Sequence, residues 1–409
     1  MLLILRRLLS LNQFSLSDLL SFQFGWMRGV IVVSIFNFLA PWPSAPILAA
    51  ELTFQAKSCG FSAVRDAVQD AIDSGVNSVV NIPSGTCDWG DNELVLPGGI
   101  SLKGSGKDAT VLRSYSRAND TLITINCSNG KTARFSDMTL IGKGNPAIWD
   151  GGLHFRDGCS DFVVFNSRFS DFVYYGVAVR GDSQGVIYQN DFLNNYRAGQ
   201  TGGSTGYGVV VYGNGTWPPL ELGTANAVFV EDNYFLGNRH HIASNNGSRY
   251  VFRYNRAIVT SSVRHFPMVD AHGRGSSPLG SRSWEIYNNT FSTDLAANEK
   301  ARAVIGIRGG DGVVFNNMVT NPLTVRRMID LSALEVALPY PWMNQMRSGY
   351  FWNNSLDLLV NEAPSNFVLG RDYFLTARPG YTPYVYPHPL RSSQVAATPP
   401  VAPSNLRVE

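Results

Sequence analysis

Tyr188-Gln-Asn-Asp-Phe192, Glu231-Asp-Asn-Tyr-Phe235, Arg253-Tyr-Asn-Arg-Ala257, Tyr287-Asn-Asn-Thr-Phe291 and Phe315-Asn-Asn-Met-Val319 are five copies of one theme, a short β-rich run broken at its centre by Asn. Phe135-Ser-Asp-Met-Thr-Leu140, Phe165-Asn-Ser-Arg-Phe169 and Trp352-Asn-Asn-Ser-Leu356 extend it to either side. The centres fall at 137, 167, 190, 233, 255, 289, 317 and 354, every 31 residues on average, with shortest intervals of 22 and 23. A period in the twenties, stretched by loop insertions, marks a solenoid. Asn suits the corner of a stacked coil, because it tolerates left-handed backbone and its amide can hydrogen-bond up the stack. Each coil hides its apolar side only against its neighbours. A leucine-rich repeat is excluded, since its Leu framework is missing. A propeller fits poorly, because the runs are too irregularly spaced for four-stranded blades.

Composition agrees. Of 409 residues, 44% are hydrophobic, 12% aromatic and only 16% charged. That excludes a coiled coil and an acidic disordered chain. A net charge of +2 gives no global signal for nucleic acid. The basic side is lopsided, with 6 Lys against 27 Arg, and Arg presents a planar fork that matches carboxylates.

The ends differ from the middle. Val30–Ala40 is an apolar run preceded by Arg28 and followed by Pro-Trp-Pro. It reads as a secretory signal with Met27 as its natural start, or alternatively as an amino-terminal anchor; the run is too short to span a membrane. Residues 1–50 are assigned to export, 51–390 to the repeat domain and 391–409 to a mobile Pro/Ser/Ala tail. The protein is expected to be secreted, extracellular or periplasmic. Cys59, Cys87, Cys127 and Cys159 allow three connectivities. Cys59–Cys87 is favoured, one partner preceding a helix and the other closing the next strand-turn. That helix is expected over 62–75, with Ser62 and Gly75 as caps and Val64, Val68, Ala71 and Ile72 on one stripe. At the other end, the aromatic, Pro-rich segment 378–390 is expected to lie extended along the solenoid and block its open end, with His388 structural.

The repeats resemble those of right-handed parallel β-helix proteins of the pectate-lyase-like superfamily, across residues 55–390. The resemblance implies an all-β, single-chain parallel β-helix with a short capping α-helix at its amino end, and a carbohydrate-active protein. The calcium site and Arg-centred signature of pectate lyases, and the paired Asp and Gly-His-Gly of polygalacturonases, are not recognisable. Catalytic residues therefore do not transfer from the family.

A second strand is expected in each coil: 153–156, 177–180, 209–212, 241–244, 269–272, 305–308 and 329–332. Strand side chains alternate faces. With the first and third positions inward, the outward columns read His154, Ala178, Val210, Ile242, Asp270, Gly306, Asp330 and Arg156, Arg180, Tyr212, Ser244, His272, Arg308, Ser332. The coil at 241–244 breaks the pattern, and a one-residue bulge would turn His240 or His241 outward. Arg156, Arg180, Tyr212, Arg239, Arg249 and Arg308 are the expected contacts to a carboxylate-bearing chain.

Four of the six His fall between 240 and 272. A polyuronate lyase must neutralise the sugar carboxylate, take the proton from C5 and protonate the leaving oxygen. His272 is the expected base, oriented by Asp270, with Arg274 on the carboxylate and His240 or His241 as acid or substrate ligand. These His with Asp270 are also types that ligate a divalent metal, although the spacing does not demand one and the cofactor stays open. The leading expectation is a lyase acting on an acidic polysaccharide as a monomer, without nucleic acid or a membrane span. A glycoside hydrolase and a non-catalytic binder are the alternatives.

Overall fold

In a computed structural model, the Asn theme lies at a two-residue corner between two strands. Gly185–Tyr188 ends, Gln189 and Asn190 turn, and Asp191–Leu193 begins. The two tasks assigned to Asn fall on adjacent residues. The residue before it takes the left-handed conformation: φ is 56° at Gln189, 55° at Asp232, 56° at Tyr254, 55° at Asn288 and 53° at Asn316. The Asn itself builds the ladder. Its Nδ2 donates to the next Oδ1 from Asn190 to Asn233 (3.0 Å), Asn255 (3.2 Å), Asn289 (3.1 Å), Asn317 (2.9 Å) and Asn354 (2.9 Å). Each Asn backbone N–H also donates to the next Oδ1 up the stack. Buried amides with every group engaged fix coil to coil in register.

The structure describes residues 51–114, 121–144, 149–196, 205–274, 279–333 and 344–392. The proposed export segment and nearly all of the tail lie outside them. Three parallel sheets of twelve, ten and nine strands run the length of the repeat, and every named pair of strands is parallel. Each coil thus carries three strands rather than two. The corner is so short that two strands, such as 185–188 and 191–193, read as one run with an Asn inside it. Inside, Phe169, Phe192 and Phe235 stack at 5.2 and 4.8 Å. The inward column of the ten-stranded sheet is Leu153, Val177, Val209, Ile242, Val269, Ile305 and Ile329, all buried.

The helix spans Phe61–Asp73, with Gly60 rather than Ser62 at its N-cap. It starts early because Phe61 packs edge-on against Trp89 at 5.4 Å, while Trp89 Nε1 donates to Cys59 O at 2.9 Å. Val64, Ala67, Val68 and Ala71 form its buried face. The disulfides are Cys59–Cys87 and Cys127–Cys159. No helix among the described residues is long and apolar enough to cross a membrane.

The segment 378–391 does lie along the solenoid, but over the flank of the twelve-stranded sheet rather than its end. Arg253, fully buried, donates Nη1 to Tyr384 O (2.6 Å) and Nη2 to Val385 O (2.9 Å). Arg253 is neutralised by Glu231 at 2.6 Å, which also accepts from His388 N and Arg391 Nη1 at 2.9 Å. His388 is buried in this clamp, its imidazole pushed down to about 4 by burial. The open end instead meets the last strand, Tyr373–Phe374.

Candidate functional site

The outer face of the ten-stranded sheet carries the two expected columns, with one coil re-read. Pairing sets Val209 against Ile242, Val210 against Ala243, Val211 against Ser244 and Tyr212 against Asn245. Ile242 and Ser244 therefore point inward, and Ala243 and Asn245 replace them on the outer face. The alternation shifts by one residue at His241–Ile242, both of which face the interior, and this break is what turns His240 outward.

That shift removes both histidines from reach of a polymer. His240 turns to the outer face beside Tyr207, with parallel rings 5.9 Å apart. The chain at Phe266–Pro267 then covers it, and His240 Nδ1 donates to Pro267 O at 2.6 Å. His241 points the other way, against Phe235, and its Nδ1 meets Asn238 Nδ2 at 3.3 Å. Exposure is 2% for His240 and 0% for His241. Burial pushes both imidazoles down to about 3, so they are neutral groups of the interior.

Asp270 and Arg308 answer each other. Arg308 Nε donates to Asp270 Oδ1 at 2.9 Å, and its Nη2 closes a second bond to Oδ2. Burial raises the Asp270 carboxyl, but Arg308 outweighs it and holds the group below the usual carboxylate range. Neither is available for the role its column suggested: Asp270 does not orient His272, and Arg308 is already paired. His272 is half-buried, and its Nδ1 bonds to Gly273 O at 2.8 Å. A carbonyl only accepts, so the proton sits on Nδ1 and Nε2 keeps a lone pair. Burial lowers its basicity. Arg274 lies two residues on, half-buried.

Arg249 leaves the groove altogether. It opens a strand of the twelve-stranded sheet and pairs with Glu221 (3.2 Å) and Asp182. Arg239 sits at the entry to the ten-stranded sheet, donating Nη1 to Tyr207 Oη at 3.1 Å. Among the described residues no three His, Cys, Asp or Glu side chains converge to hold a metal ion.

The open concavity lies lower on the same face, where Arg156 and Arg180 are exposed. It is a cleft of about 500 Å³ lined by Glu93, Trp149, His154, Arg156, Tyr175 and Arg180 among others. The strands Thr121–Asn126, Gly151–Arg156 and Tyr175–Arg180 set these groups side by side. Arg180 stacks over Tyr212 at 4.6 Å, Tyr174 and Tyr212 share a 3.0 Å hydroxyl contact, and Tyr175 Oη meets Thr121 Oγ1 at 2.6 Å. His154 is 8% exposed and lies edge-on to Tyr175 at 5.8 Å; its Nε2 is shielded from solvent without a hydrogen-bond partner, so the ring meets the cleft by its other atoms. Burial, then Arg180 and Arg156, push the His154 imidazole down to about 3. Burial pushes the Tyr175 phenol up to about 12. The cleft therefore sets two guanidinium groups, an uncharged imidazole, a protonated phenol and the Glu93 carboxyl group together.

His154 headed an outward column, but nothing in its local sequence set it apart from a solitary surface histidine. Glu93, Trp149 and Tyr175 come from different coils and from positions outside the two columns, so no spacing could group them.

No family model matches the chain, and no curated protein matches its sequence. Among solved structures, the chain is similar to an alginate lyase from Paenibacillus sp. str. FPU-7, at 14% identity and a TM-score of 0.45, over 76% of this chain and 92% of that one. It is also similar to ORF18 of Geobacillus virus E2, at 13% identity and a TM-score of 0.49, over 76% of this chain and 58% of that one. A third likeness is to the catalytic unit of a GH87 α-1,3-glucanase from Streptomyces thermodiastaticus strain HF3-3, at 12% and 0.47, over 75% and 59%. The chain spans less than two thirds of the last two. At such identities the likeness concerns the fold alone, and the three parallel sheets carry the conclusion: the chain is a parallel β-helix.

Proposed function

We propose that the protein is a secreted lyase that cleaves a uronate-containing polysaccharide by β-elimination in the cleft around His154. The observation that carries this reading is that two exposed guanidiniums and the uncharged imidazole of His154 line one cavity. Arg156 and Arg180 neutralise the sugar carboxylate, which makes the C5 proton acidic. His154 accepts that proton, the electron pair forms the C4–C5 double bond, and the C4–oxygen bond breaks. Tyr175 returns a proton to the leaving oxygen. Trp149, 38% exposed and lining the cleft, offers a flat face to a sugar ring.

Hydrolysis needs two carboxyl groups flanking the bond; Glu93 is the one carboxylate among the described residues lining the cleft. Two disulfides suit an oxidising compartment. The helix 61–73, which precedes the first full coil and buries one face in the core, fits the capping role. A second reading keeps His272 as base, favoured by its free Nε2 lone pair next to Arg308.

Binding tests the substrate class. Arg156→Ala and Arg180→Ala should each weaken binding of a polyuronate by about 1.5–3 kcal/mol, as for a hydrogen bond to a charged group, and leave a neutral glucan unaffected. Equal affinity of the parent for acidic and neutral chains would refute the acidic substrate.

A further inference from the structure

Three successive connections from the nine-stranded to the ten-stranded sheet carry basic side chains on the same flank. Arg264 and His265 follow the strand Arg256–Thr260, Lys300 and Arg302 follow Thr290–Asp294, and Arg326 and Arg327 follow Met318–Val319. All six line one cavity of about 750 Å³. Stacked coils lie about 4.8 Å apart, so the charges form a ladder three levels high.

The carboxylates nearby position this ladder without cancelling it. Arg264 Nη1 meets Glu299 Oε1 at 3.2 Å. Arg302 and Arg327 grip buried Asp330 at 3.1 and 2.9 Å, and both reach Glu362. Lys300 and Arg326 are exposed and make no ion pair with a described carboxylate. Like charges gathered on successive levels repel one another, a cost that a bound polyanion reverses.

A track joins this cavity to the cleft around His154. Trp149 packs on Tyr174 at 5.2 Å and Tyr174 on Tyr207 at 6.1 Å. Arg239 then lies over Tyr207 at 5.7 Å and over Phe266 at 4.7 Å, and Phe266 directly follows Arg264 and His265. Partly exposed aromatic faces alternating with a cation form a surface suited to sugar rings bearing carboxylates. The strand of His154 and the strand Ile305–Ile307 are five steps apart in the ten-stranded sheet, which is about 24 Å at the usual spacing.

We propose that this turn-flank cavity is a second, anchoring subsite for the acidic polysaccharide. It holds the polymer's carboxylates away from the reacting cleft, so a chain long enough to reach both sites gains effective concentration at the first. The inference rests on the acidic-polysaccharide reading, and its test separates the two. Titration calorimetry at low salt would compare a uronate trimer with the long polyuronate in the parent, in Lys300→Ala/Arg326→Ala and in Arg156→Ala/Arg180→Ala. The parent should favour polymer over trimer, and Lys300→Ala/Arg326→Ala should cut that advantage by roughly 3–30-fold, the range expected for two exposed ionic contacts. An unchanged advantage in that variant, with trimer binding lost in Arg156→Ala/Arg180→Ala, would overturn the anchor and leave the reacting cleft standing. The reverse pattern would support the anchor and move the reacting cleft elsewhere. A parent that binds no polyuronate would overturn both.

Discussion

His154→Ala should lower turnover of a polyuronate by roughly 10²–10⁴-fold, the usual cost of losing a general base, whereas His272→Ala leaves most of it. The reason lies in the surroundings of the two rings. His154 lines one cleft with both exposed Arg and with Tyr175. His272 stands beside an Arg already closed onto Asp270. Because the His154 imidazole is pushed down to about 3, it is already an unprotonated base at mildly acidic pH. The acid limb of kcat/KM should therefore lie well below the ordinary imidazole value of about 6.5. His154→Gln keeps the ring's approximate volume and should show the same loss, which separates chemistry from folding. Full activity in His154→Ala together with loss in His272→Ala would transfer the base to His272.

The largest effect on stability is expected at the flank opposite in role, where the carboxyl-terminal segment is clamped. Arg253→Ala should lower the unfolding free energy by about 3–5 kcal/mol, since breaking a buried ion pair strands its partner without compensation. Arg253 and Glu231 are both 0% exposed. The same guanidinium also serves Tyr287 Oη at 2.9 Å and the carbonyls of Tyr384 and Val385. Its loss should make the segment 378–391 sensitive to proteolysis before the coils unfold. Denaturant titration and limited digestion would read the two effects, and an unchanged midpoint would show that Glu231 finds sufficient charge in Arg391 alone.

The solenoid was legible because its ladder residues repeat. Asn190, Asn233, Asn255, Asn289 and Asn317 occupy equivalent corners, and a buried amide stack tolerates little else there. The alternation 177–180 or 209–212 likewise reports a sheet with one face in the core. Two kinds of information were missing. The break of alternation at His241–Ile242 depends on how the preceding turn, Gly237–Arg239, enters the sheet, and a shift by one residue exchanges the faces of the residues before it. That single step sent His240 under Pro267 and His241 into the interior. The cleft, for its part, is a meeting of distant coils: Glu93 and His154 are brought together by stacking, not by any interval in the chain. The clustering of His between 240 and 272 drew attention to a region where Arg308, Pro267 and Asn238 already occupy the polar atoms.

The most direct measurement is the ultraviolet absorbance of unsaturated uronate during incubation of the purified protein with a panel of polyuronates. The account predicts a steady rise with at least one acidic polymer, none with neutral glucans, and its disappearance in His154→Ala. Release of saturated reducing ends without that absorbance, or no change in any polymer that the protein nonetheless binds, would contradict it.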